Sequence, residues 1–151
     1  MNLKNTKIKI RKLFPEAKTP TYGSDFAAGA DLYACTDGEV EVIFPGETKM
    51  FHTGIAMEIP EGYVGLICAR SGIAVKRGLA PANKIGVIDS DYRGEIMVAL
   101  HNHSKTEGII DDGERIAQIV IVPYLKAEFT EADVLEDTDR GDGGFGSTGT
   151  K

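Results

Sequence analysis

Apolar residues along this chain come in short runs, often on alternate positions, and no stretch of a dozen residues keeps a 3.6-residue apolar period. β-structure is therefore predicted throughout, with strands at Lys7–Leu13, Asp31–Cys35, Val40–Phe44, Met50–Ile59, Tyr63–Ala69, Glu95–Asn102 and Ile116–Val122. Turn signals such as Pro45-Gly46, Pro60-Glu61-Gly62 and Asp112-Gly113 separate them. Many short strands at this spacing suggest an all-β barrel or jelly roll. Ser71–Lys76 is the one candidate helix, a turn or two after a serine cap, although Gly72 and Val75 weaken it. There is no internal repeat.

The pattern changes near Glu128. An acidic stretch from Glu131 to Asp139 leads into Arg140-Gly141-Asp142-Gly143-Gly144-Phe145-Gly146-Ser147-Thr148-Gly149. The chain is thus divided into a β core, 1–128, and a C-terminal arm, 129–151. Five glycines in ten residues leave little side chain to pack, and fixing such backbone costs about 1–2 kcal/mol per residue. The arm is expected to be mobile until a ligand orders it.

Composition narrows the function classes. A length of 151 residues suits one domain. No run reaches the roughly 18 apolar residues of a membrane span, and Met1–Arg11 is polar and basic, unlike a secretory leader. The expectation is a soluble, uncleaved, cytoplasmic protein without a membrane partner, nuclear as well if its host is eukaryotic or viral. A net charge of −6 opposes a nucleic-acid partner, whose backbone attracts basic faces. A small anion is not opposed, because a few arginines and amides make a local positive pocket. Cys35 and Cys68 lack metal-ligand spacing and read as buried free thiols.

Several short motifs suit such an anion. Gly141-x4-Gly146-Ser147-Thr148 parallels a phosphate loop, yet serine stands in place of the lysine and too few residues follow for a helix, so a P-loop is rejected. What remains is a set of glycine amides, two hydroxyls and the Arg140 fork for phosphate oxygens, with Phe145 as a stacking face. A plain disordered glycine tail is the competing reading, and the embedded Arg140-Gly141-Asp142 tripeptide is read as coincidence. Gly86-Val87-Ile88-Asp89-Ser90-Asp91-Tyr92-Arg93-Gly94-Glu95 places three carboxylates and a tyrosine between apolar strands. A calcium loop starting at Asp89 fails, since Arg93 and Leu100 fall on ligand positions. One carboxylate as general base is the functional reading; an acidic hairpin tip is the alternative.

Arg70-Ser71-Gly72 stands where an apolar strand ends, a corner suited to an anion or to a surface ion pair. Gln118 and Asn83 can each read a base or phosphate, or simply face solvent and form a turn. Asp31 interrupts an apolar stretch and needs a partner if buried, an arginine being the natural one. His101 and His103 share a strand face, but no third ligand accompanies them.

In order and wording these runs resemble the five motifs of the homotrimeric dUTPase family across nearly the whole chain. They are Ala28-Gly29-Ala30-Asp31-Leu32-Tyr33-Ala34; Ala69-Arg70-Ser71-Gly72; Gly86 to Gly94; Gly113-Glu114-Arg115-Ile116-Ala117-Gln118; and Arg140 to Gly149. Ala69 departs from the proline common before the arginine. The resemblance implies a distorted jelly-roll fold and hydrolysis of dUTP to dUMP and pyrophosphate, which lowers dUTP and supplies dUMP for thymidylate synthesis. It implies that Asp89 activates the water attacking the α-phosphorus, that Arg70, Ser71, Gly72 and Gln118 meet the phosphates, and that Asp31 supports them. Arg140, Gly146, Ser147 and Thr148 would close over the γ-phosphate while Phe145 stacks on uracil.

By the same resemblance a hairpin from Asn83 to Met97, with Gly86, Val87 and Ile88, would read uracil, and Tyr92 would lie under the deoxyribose. Mg2+ would ride on the phosphates and water with no direct protein ligand. Three chains would share three active sites. A dCTP deaminase, including the bifunctional type, is the nearest enzymatic alternative, and a non-catalytic nucleotide-sensing module is the other.

Overall fold

The computed structural model describes residues 6–144. Twelve strands and one short helix make up the regular structure of those residues. A five-stranded antiparallel sheet runs β2 (Thr21–Tyr22), β3 (Gly29–Tyr33), β12 (Arg115–Pro123), β7 (Tyr63–Cys68), β9 (Gly86–Ile88). A three-stranded sheet runs β5 (Thr48–His52), β10 (Met97–Asn102), β8 (Leu79–Pro81). Two further pairs join β1 (Lys9–Lys12) to β6 (Ile55–Glu58) and β11 (Gly108–Ile110) to β4 (Glu41–Ile43). The sheets are open rather than one closed ring, and the architecture is a distorted jelly roll, as expected.

Alternation builds the core. Val98, Leu100 and Asn102 of β10 are buried while the residues between them face outward. One apolar cluster draws Leu32, Ile67 and Ile119 from the larger sheet together with Phe51, Leu79 and Leu100 from the smaller. Each such side chain contributes about 1.5–3 kcal/mol when wholly buried. Among the polar residues, Asn102 is buried with its amide nitrogen donating to Ile43 O and Thr106 O at 2.8 Å.

Three expectations need correction. The strand predicted over Met50–Ile59 is two strands, because Gly54 takes φ 67°, and any Cβ there would stand 2.6 Å from Ala17 Cβ. The chain turns at that point, and β5 and β6 enter different sheets. The helix α1 (Ser71–Arg77) forms in spite of Gly72 and Val75, but Arg70 is its N-cap and no side chain caps it. Ser71 is the first helical residue, so its amide and that of Gly72 have no acceptor within the helix. Finally, Cys35 and Cys68 are free thiols but only half buried. Burial, with Asp112 and other acids nearby, pushes the Cys35 thiol up, keeping it protonated at neutral pH.

Gly78 closes α1 in the left-handed region at φ 66°, and its N–H donates to Ala74 O. A Cβ there would meet Ser104 Cβ at 2.9 Å. Gly78→Ala is expected to destabilise the fold by about 1–3 kcal/mol, combining backbone strain and overpacking. Urea unfolding measures it; an unchanged midpoint would contradict this account of the cap.

Candidate active site

Three neighbouring strands assemble a polar cluster. β12 pairs with β3 on one side and β7 on the other, setting Gln118 opposite both Asp31 and Cys68. Arg70 follows two residues past the end of β7. Its Nε donates to Asp31 Oδ1 at 2.7 Å, and Arg115 Nη1 donates to Asp31 Oδ2 at 3.2 Å. Asp31 is only 7% exposed, so the carboxylate that needed a cationic partner has two. Arg70 is thereby held with Nη1 3.4 Å from Arg115 O, while its Nη2 has no partner among the described residues. Gln118 Nε2 donates to Ala69 O at 2.8 Å, steadying the backbone just before Arg70. Gly29 leaves room for that amide: a Cβ at 29 would stand 2.4 Å from Gln118 Oε1. Ser71 and Gly72 are exposed at the start of α1, beside this cluster in sequence.

Arg115 was not among the substrate-binding candidates. The pairing of β12 with β3 shifts between Arg115 and Ala117, a bulge that breaks two-residue alternation. Ile116 and Ala117 are consequently both buried, and Arg115 reaches the Asp31 side. Its place in the Gly113–Gln118 run was the only available signal.

The second group of candidates surrounds β9 and β10. These strands are not the hairpin expected from Asn83 to Met97, for β9 pairs with β7 while β10 pairs with β5 and β8. The two strands instead diverge and leave between them a cleft of about 160 Å³, lined by Ile67, Asn83, Gly86, Ile88, Met97 and Ala99 among others. Val87 lines it too. Such a volume suits one small ring and falls short of a whole nucleotide. Gly86 keeps the cleft open, since a Cβ there would press on Ile67 Cβ at 3.1 Å and on Asn83 Nδ2 at 3.3 Å.

Asp89 is the first residue beyond β9 and is exposed. Its carbonyl accepts from Tyr92 N at 3.2 Å, closing a turn over Asp89–Tyr92. Tyr92 OH donates to Glu95 O at 2.9 Å, and the ring lies over Gly94, where any Cβ would come within 2.4 Å of the hydroxyl oxygen. Of the three carboxylates in this loop, Glu95 is spoken for. Its side chain is 14% exposed, accepting from Gly54 N at 2.7 Å and lying 2.8 Å from His52 Nδ1. Asp89 and Asp91 are the exposed acids; Asp89 follows directly on Ile88 of the cleft wall, and both acids line a separate open depression with Ser90 and Arg93.

The cleft lining does not include Arg70, Ser71, Asp89, Tyr92 or Gln118. Arg140 is exposed and donates to Gly143 O within its own turn, at 2.9 Å. Phe145, Gly146, Ser147 and Thr148 lie outside the described residues. Among the described residues no group of three or more His, Cys, Asp or Glu side chains is placed to hold a metal ion, and no helix is long and apolar enough to cross a membrane.

Comparison with known proteins bears on the family to which the chain belongs. A profile of the dUTPase family matches residues 15–149. A deoxyuridine 5'-triphosphate nucleotidohydrolase from Hydrogenobaculum sp. (strain Y04AAS1) is 53% identical over 145 residues, covering 96% of this chain and 99% of that one. The dUTPase of Staphylococcus bacteriophage 80alpha, solved as a variant with dUpNHpp, is 29% identical with a TM-score of 0.82, covering 96% and 99%. The dUTPase of phage phi11 of S. aureus, solved as a variant coordinating a structural Mg(II) ion, is 27% identical with a TM-score of 0.77, covering 87% and 100%. With a profile spanning most of its length and a relative sharing half its residues, this chain belongs to the dUTPase family.

Proposed function

We propose that the chain hydrolyses dUTP to dUMP and pyrophosphate, with Asp89 orienting and deprotonating the water that attacks the α-phosphorus. The observation that supports Asp89 most strongly is its position: an exposed acid directly after Ile88 of the wall of a ring-sized cleft, while Glu95 is locked into the fold. A bond forms from water oxygen to the α-phosphorus, the bond to the bridging oxygen breaks, and the water's proton passes to Asp89. Pyrophosphate leaves with the bridging electron pair.

Uracil occupies the cleft, read by the Asn83 amide and the backbone of Gly86, Val87 and Ile88, with Met97 on the opposite wall. Tyr92, fixed by Glu95 O and Gly94, lies beneath the deoxyribose and leaves no space for a 2′-hydroxyl. Arg70, Ser71, Gly72 and Gln118 bind the phosphates, and Asp31 holds Arg70 in position. Mg2+ is a hard ion taking oxygen ligands, and the donor set here, arginines and amides around a paired aspartate, suits an ion held by phosphates and water. Bound there, it neutralises triphosphate charge.

The core spans 1–128 and the arm 129–151, whose Arg140, Phe145, Gly146, Ser147 and Thr148 close over the nucleotide. A homotrimer sharing its active sites is supported by apolar surface one chain leaves uncovered, Phe26 at 88% exposure, Leu125 at 97% and Phe129 at 94%. A cytoplasmic location, nuclear as well in a eukaryotic or viral host, is part of this reading.

Pyrophosphate release across the deoxynucleoside triphosphates tests the reading. dUTP should be turned over, dCTP about 10⁴-fold less well, and reaction in 18O-water should label dUMP and leave pyrophosphate unlabelled. Ammonia release from dCTP, or binding of dUTP without pyrophosphate, would overturn it. Deleting Arg140–Lys151 is expected to lower kcat by more than about tenfold through loss of closure. Cooperative unfolding should persist; its loss would contradict the division into core and arm.

A further inference from the structure

β10 runs away from the cleft with Met97, Ala99 and His101 on its outer side, and His103 follows at the next outward position. Positions two apart on extended backbone share a face at about 7 Å. The two imidazoles close that gap, their ring centroids 4.5 Å apart and their planes inclined at 63°. Neither ring fills the core, since His101 is half buried and His103 exposed.

The backbone beneath both rings is anchored. His101 pairs with Thr48 of β5 and Ala80 of β8. His103 N–H donates to Gly78 O at 2.8 Å, and the intervening Asn102 is buried and fully engaged, its Oδ1 accepting from Ser104 N at 2.9 Å. The rings therefore project from a rigid strand end, the condition for a preformed ligand pair. Thr48 Oγ1 lies 2.8 Å from His101 Nδ1. When that hydroxyl accepts from Nδ1–H, Nε2 keeps its lone pair, the arrangement found behind metal-binding histidines.

We propose that His101 and His103 form a surface site for a borderline divalent transition-metal ion, of the zinc, nickel or copper(II) class, with water filling the remaining positions. Imidazole pairs suit these ions, whereas Mg2+ prefers oxygen donors, so the site does not compete for the ion carried by the nucleotide. No third side chain joins the pair among the described residues, so coordination is open and weaker than in a four-ligand structural centre.

The chain has three histidines, which makes the test decisive. Chelator-treated full-length protein in magnesium buffer is titrated with Cu2+ and followed by calorimetry and by the nitrogen hyperfine pattern of its electron paramagnetic resonance. The expected result is one saturable Cu2+ per chain with two nitrogen ligands. His101→Asn and His103→Asn should each weaken binding by more than about tenfold, and Thr48→Val by about tenfold through loss of ring orientation. His52→Asn, removing the histidine engaged with Glu95, should leave binding intact. Excess Ni2+ should raise the thermal midpoint of the parent chain and not of the His103→Asn variant, whose exposed side chain supports no packing. dUTP turnover with Mg2+ should be unchanged in both variants. Binding that survives the double His101, His103 substitution, or no saturable binding by the parent chain, overturns the proposal.

Discussion

Asp89→Asn is expected to lower kcat for dUTP hydrolysis by about 10²–10⁴-fold, the usual contribution of a positioned general base, while KM for dUTP changes little. The amide keeps the shape of the carboxylate and so preserves the Asp89–Tyr92 turn, which uses the backbone carbonyl rather than the side chain. What is lost is the acceptor for the water's proton. Because the side chain is exposed and makes no ion pair among the described residues, stability should be unaffected. A matched Asp91→Asn variant separates the two exposed acids of the loop and should retain most turnover. Steady-state pyrophosphate release decides between them, and near-parental kcat in Asp89→Asn would remove the residue from the chemistry.

Asp31→Ala is expected to damage both fold and substrate binding. The carboxylate joins Arg70 and Arg115 at a point where its side chain is 11% exposed and that of Arg70 is 23% exposed. Removing one partner of a buried pair costs about 3–5 kcal/mol. Arg115, at 52% exposure, can turn to solvent, which brings the expectation down to about 2–3 kcal/mol. The thermal midpoint should then fall by about 4–12 °C for a chain of this size. Arg70, released from Nε, loses the orientation that aims its remaining donors at phosphate, so KM should rise in whatever fraction stays folded. Asp31→Asn separates charge from shape: it keeps an acceptor for one arginine and should fall between parent and alanine in both measurements. Parental stability and KM in Asp31→Ala would show that the triad does not position the phosphate-binding arginine.

Each strand predicted from apolar alternation overlaps an observed strand, because those runs are long enough for the period to register. β2, β8, β9 and β11 have two or three residues each, too few for any period, and they form only because a neighbouring strand offers its edge. Gly54 split one predicted strand, since local sequence does not reveal that a glycine needs positive φ where Ala17 packs. The Asn83–Met97 hairpin failed for a related reason. Chain proximity suggests pairing, but β7 and β5 compete for the two strands and draw them into separate sheets, which is what opens the cleft.

Within the candidate site, the need of Asp31 for an arginine was legible because an ionised carboxylate in an apolar run has few alternatives. That there are two arginines was not, since the bulge at Arg115 has no signature in a single sequence. Taken without the family resemblance, which named Asp89, the loop offered three carboxylates on equal terms. Only tertiary contacts with Gly54 and His52 withdraw Glu95 from the choice.

A crystal structure with a non-hydrolysable dUTP analogue and Mg2+ tests the central claim most directly. Uracil should fill the cleft between β9 and β10, with an Asp89 carboxylate oxygen about 2.6–3.2 Å from a water lying in line with the bond from the α-phosphorus to its bridging oxygen. An Asp89 side chain turned away from the phosphates, with that water held by another group, would contradict it.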